Sequence, residues 1–76
     1  MGERIRQMNA IAVERLLKAY GFRLVSQKGS HRKWRNDDRN IQVIVPVHRG
    51  KNLPIGTLRN ICVQADIPES DWKTEN

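Results

Sequence analysis

Seventy-six residues make one domain, 1–76, too short for a deep substrate cavity or a second folding unit. Fourteen Lys and Arg against eight Asp and Glu give a formal charge of +6, and residues 15–59 hold eleven of the basic side chains but only Asp37 and Asp38 of the acidic ones. A basic middle calls for a polyanionic partner; the absence of a long apolar run or signal-peptide pattern argues against a membrane partner or export, and the single Cys62 excludes an intrachain disulfide and suits a reducing cytoplasm.

Residues 1–8 show no clean period and read as a loosely held leader. From Asn9, a competent N-cap, Val13, Leu16, Leu17 and Tyr20 fall at i, i+3, i+4 and i+7, which predicts a helix over about 10–20 that Gly21 stops. Phe22 to Ser26 alternates as a strand with Phe22 and Leu24 on one face, and Lys28-Gly29-Ser30 reads as a tight turn. In a second strand, His31 to Asn36, period two sets His31, Lys33 and Arg35 on one face and Arg32 and Trp34 on the other. Trp34 is therefore expected in the core rather than as a platform for stacked bases.

Residues 36–40 form a hairpin loop, and Ile41 to Val45, β-branched almost throughout, is the clearest strand, ended by Pro46. A polar connection from Val47 to Leu53 leads to Pro54, well placed to open a helix over about 54–65. That helix buries Leu58, Ile61, Cys62 and Ala65, so Cys62 is expected to be a buried, inert thiol. Ile67-Pro68 breaks it, one further helical turn could fold Trp72 back as a lid, and residues 69–76 form an acidic tail. The order α-β-β-β-α predicts an α+β fold, a three-stranded antiparallel sheet with both helices on one face.

Chemistry concentrates in Lys28-Gly29-Ser30-His31-Arg32-Lys33-Trp34-Arg35. Cations bind phosphate, histidine moves protons near neutral pH, and the Gly-Ser pair adds backbone N–H groups and a hydroxyl able to hold a phosphate oxygen. Lys28, Arg32, Lys33, Arg35, Arg49 and Lys51 are the candidate phosphate contacts, with Gly29, Ser30 and His48 in support. Each taken alone is an ordinary solvated side chain, and a lone histidine in a polar strand is ordinarily just exposed. The clustering is what points to RNA. One cysteine and two distant histidines make no zinc site, no carboxylate cluster suits another metal, and no cofactor is expected.

Leu16 to Phe22 leading into Gly29-Ser30-His31, then Val45-Pro46-Val47-His48, Gly50-Lys51 and Ile55 to Ile61, resembles the HicA family of toxins over about residues 13–67. Each piece is short, and it is their order and spacing that is specific. Lys33, where a strand would more usually carry an apolar residue, departs from the pattern. The resemblance implies a double-stranded-RNA-binding-domain-like fold, a cytoplasmic endoribonuclease acting on mRNA with His31 as the catalytic residue, and a HicB-like antitoxin as partner. RNA cleavage can use the substrate's own 2′-OH as nucleophile, so a proton acceptor, a donor and nearby cations suffice without metal.

The competing reading is a non-catalytic double-stranded-RNA-binding module. Such modules concentrate lysines at the start of the last helix. Here Pro54 to Leu58 is uncharged.

Overall fold

The computed structural model describes residues 7–72, and the elements follow in the order α1 (Ala10–Ala19), β1 (Arg23–Lys28), β2 (His31–Asn36), β3 (Ile41–Pro46) and α2 (Ile55–Ala65), with a short 3-10 turn at Glu69–Asp71. The sheet is an antiparallel meander in the order β1-β2-β3, with both helices on one face, as the α-β-β-β-α order predicts. Alternation on β2 and β3 explains the two faces. Trp34, Val43 and Val45 turn inward beneath the helices, while Lys33 and Ile44, paired with each other, turn outward.

Asn9 caps α1 with its side-chain oxygen, accepting the Ala12 N–H at 2.9 Å. The helix buries Val13 and Leu17, and α2 buries Leu58, Ile61, Cys62 and Ala65, the stripe its spacing predicts. Trp34 and Trp72 are the two largest fully buried side chains. Trp72 does fold back onto the core, and the Tyr20 hydroxyl donates to the Asp71 carboxylate beside it. The Lys18 ammonium lies 5.8 Å from the centre of the Trp34 ring, a cation–π contact that helps cover it.

Two turns fix the register. Gly29 has φ +59 while Ser30, its partner in the two-residue loop between Lys28 and His31, keeps negative φ; positive φ at the first central position alone is the pattern of a II′ hairpin and favours glycine there. The wider loop after Asn36 is closed by Asn36 itself: its Oδ1 accepts the Arg39 N–H and its Nδ2 donates to the Tyr20 carbonyl at 2.9 Å. Asn36 thereby joins the end of α1 to the β2–β3 hairpin.

Two details differ from the sequence-based expectations. The first strand runs Arg23–Lys28 rather than 22–26, with a bulge between Leu24 and Ser26, and Leu24 is 39% exposed although Phe22 is buried. β1 is an edge strand that the helices do not fully cover, since α2 packs chiefly on β3. The leader reading for residues 1–8 lies mostly outside the described residues. Within them, Met8 packs on the core, its carbonyl accepts the Leu53 N–H at 2.8 Å, and Asn9 bridges to Asn52. Main-chain pairing thus holds this part of the chain.

Candidate functional site

The II′ turn delivers His31 as the first residue of β2, exposed, between Lys28 on β1 and Pro46 on β3 in the register. The Val47 N–H donates to the Ser30 carbonyl at 2.7 Å, pinning the connection after β3 to that same turn. Along the open sheet face the next row is Ser26, Lys33 and Ile44, and the row after it Arg23, Arg35 and Gln42. Lys33 and Arg35 are half-buried by their neighbours, and Ile44 stays 46% exposed in the middle of the face. This surface is therefore cationic with an apolar centre, and the imidazole stands at one end of it.

The other end is partly neutralised. Asp37 accepts Arg23 Nε at 2.9 Å and Arg35 Nε at 2.8 Å, and Arg35 also donates to Asn40 Oδ1 at 2.6 Å. The hydrogen bonds from Arg23 and Arg35 hold the Asp37 carboxyl below its ordinary value. Of the open-face cations, Lys28 and Lys33 stand nearest His31 in the register, and Arg35 is tied to the hairpin.

Arg32 lies apart from the other β2 cations. It shares the inward face with Trp34, and its Nε donates to Glu14 Oε2 at 2.6 Å while Nη1 donates to Gln27 at 3.0 Å. The same Glu14 oxygen accepts Trp34 Nε1 at 2.8 Å. A nearly buried carboxylate satisfied by a guanidinium and an indole is a strong local tie between α1 and β2. His48 and Arg49 line a cavity of about 310 Å³ with Glu14, Arg32, Ile11 and Val47. Lys51 is exposed just beyond, and a Lys51 N–H to His48 carbonyl bond closes the turn that Gly50 makes at φ +76.

The predicted residues thus fall into two groups. Lys28, Gly29, Ser30, His31, Lys33 and Arg35 belong to the turn and the open face; Arg32, His48 and Arg49 gather around a cavity at the rim, with Lys51 beside it. Sequence reasoning missed Glu14, Asp37 and Arg23. Glu14 did leave a trace: it falls three residues before Leu17 and four after Ala10, a lone carboxylate within the buried stripe of a helix. Cys62 is buried, and desolvation raises its thiol to about 11, so it stays protonated at neutral pH.

Among the described residues, no helix is long and apolar enough to cross a membrane. The family model describing the HicA toxin of bacterial toxin–antitoxin systems matches residues 12–67. No curated protein and no solved structure matches the chain.

Proposed function

The chain belongs to the HicA toxin family of bacterial toxin–antitoxin systems, and we propose that its toxicity is cytoplasmic endoribonuclease activity on mRNA, with His31 as the proton-transferring catalytic residue and a HicB-like protein as the antitoxin. The observation that carries this reading is the position of His31: exposed, at the head of a strand, directly after the Gly29-Ser30 turn and alongside Lys28.

In this mechanism the phosphodiester lies along the open face. The Ser30 hydroxyl and the backbone N–H groups of the turn take a phosphate oxygen, and the Lys28 and Lys33 ammonium groups offset the negative charge that builds up on phosphorus. The ribose 2′-oxygen gives its proton to a base and attacks the adjacent phosphorus; the P–O5′ bond breaks and the 5′-oxygen takes a proton as it leaves. The products are a 2′,3′-cyclic phosphate and a 5′-hydroxyl. His31 takes or gives one of those protons, a role worth about 10²- to 10⁴-fold in rate.

The uncharged opening turn of α2, Ile55 to Leu58, supports cleavage over passive duplex binding, because a duplex-spanning domain would place its cations there. The test is RNA cleavage by the purified, antitoxin-free chain in EDTA. His31→Ala is expected to lower the rate at least 100-fold while changing RNA affinity only a few-fold. A variant that cuts RNA at the normal rate would remove His31 from the mechanism.

A further inference from the structure

The cavity at the rim has a composition that the cleavage step does not use. One wall is apolar, made by Ile11, which is 63% exposed, and Val47. A second is the Arg32 guanidinium, held at Nε by Glu14 and at Nη1 by Gln27, so its plane is fixed. The third is the Glu14 carboxylate. Both of its hydrogen bonds fall on Oε2, so Oε1 has no partner among the described residues, and Glu14 is one of the residues that line the cavity. His48 and Arg49 stand at the cavity as further nitrogen donors.

We propose that this cavity binds the base of a nucleotide neighbouring the cleaved linkage, and that Glu14 selects bases carrying an exocyclic amino group. The inference rests on the ribonuclease reading for the identity of the strand, but the pocket chemistry stands on its own. A volume of about 310 Å³ is at the lower end of small-molecule sites, which begin at roughly 300 Å³. Unstacked RNA bases are held by an apolar or guanidinium surface against the ring and by hydrogen bonds along the base edge, and both elements are present. The fixed Arg32 plane supplies the stacking partner. Glu14 Oε1 is an acceptor only, so it pairs with the amino group of adenine, cytosine or guanine. Uracil offers it one N–H set between two carbonyl oxygens, which the carboxylate repels.

Connectivity to the scissile linkage comes from the chain itself. Arg32 follows His31 directly, and the Val47 N–H bond to Ser30 fixes the cavity's far wall to the turn that presents His31. An RNA strand lying on the open face and passing over this end of the sheet therefore brings an adjacent base to the cavity, with Arg49 placed for its phosphate.

The test is titration of the chain with each of the four nucleoside 5′-monophosphates and with inorganic phosphate, followed by amide shifts. Saturable movement of the Ile11, Val47 and Gly50 amides is expected, with UMP at least fivefold weaker than CMP. Ile11→Ser, which removes the apolar wall without adding charge at a 63% exposed position, is expected to weaken binding at least fivefold while leaving the unfolding midpoint nearly unchanged. Glu14→Gln is expected to bring UMP and CMP within twofold of each other. Equal affinity for all four nucleotides, the same shifts with phosphate alone, or shifts confined to Lys28 and Lys33 would each overturn the proposal. None of these readouts requires cleavage, so a chain that failed to cut RNA would overturn the nuclease reading and leave the pocket measurement standing.

Discussion

Asp37 receives both Arg23 and Arg35, and so decides how much of the open sheet face is available to an anion. The pair of contacts is exposed, and exposed ion pairs add little to stability. Their effect is on charge. Asp37→Asn is expected to leave the unfolding midpoint nearly unchanged while tightening RNA binding several-fold at low salt, the difference closing as salt rises; unchanged affinity at low salt would show that these arginines meet no RNA. The acid response has a definite sign. Because the folded-state carboxyl is held below its ordinary value of 3.8, the stabilisation it gives is complete above that value and is lost as pH falls through the lowered one.

At the scale of elements, β2 carries both functions of the sheet, since one side of it builds the core and the other presents His31 and Lys33. The two tryptophans offer a matched test of what fixes it. Both are fully buried, but Trp34 Nε1 donates to the Glu14 carboxylate whereas Trp72 Nε1 has no partner among the described residues. Trp34→Phe and Trp72→Phe remove similar volume, so Trp34→Phe is expected to cost more by about 1.5–3 kcal/mol, the worth of a hydrogen bond to a charged acceptor. Urea unfolding of the two variants measures it, and equal costs would mean that Glu14 contributes no tie.

The same strand shows what a sequence discloses. Period two alone places Trp34 inward and His31, Lys33 and Arg35 outward, because alternation is a local property of extended backbone. It also places Arg32 inward with Trp34, but not its partner Glu14, 18 residues earlier on a helix, which only packing brings near. The bulge that lets Leu24 and Ser26 pair across an extra Val25 leaves no mark in a run of that composition. Nor does Asp37 look different from Asp38 until the hairpin closes. Local periodicity was legible in the sequence; pairings between distant segments were not.

At the scale of the molecule, the open face and rim are cationic, among the described residues, through Lys28, Lys33, Arg49 and Lys51, with Arg23 and Arg35 held back by Asp37. Four phosphate contacts on a single strand correspond to a slope of about −3 in log affinity against log salt. Binding measured across a salt series should give that value, and a steeper slope for Asp37→Asn. A flat response would assign the basic surface to a protein partner.

The meeting of the residues before α1 with those before α2 has a consequence for the order of assembly. The three strands zip from two short turns, whereas the Gln7–Asn52 contact joins positions 45 residues apart, beside the Asn9–Asn52 bridge and the Met8–Leu53 bond. Closing so long a loop costs more chain entropy than either hairpin, so the seam closes after the hairpins that the two short turns start. Asn9, Ala10 and Ile11 make one side of the rim cavity and Val47 to Gly50 the other, so the seam also governs how wide the cavity stands. A base seated there favours the closed seam by mass action, so substrate itself would stiffen the end of the molecule that presents His31.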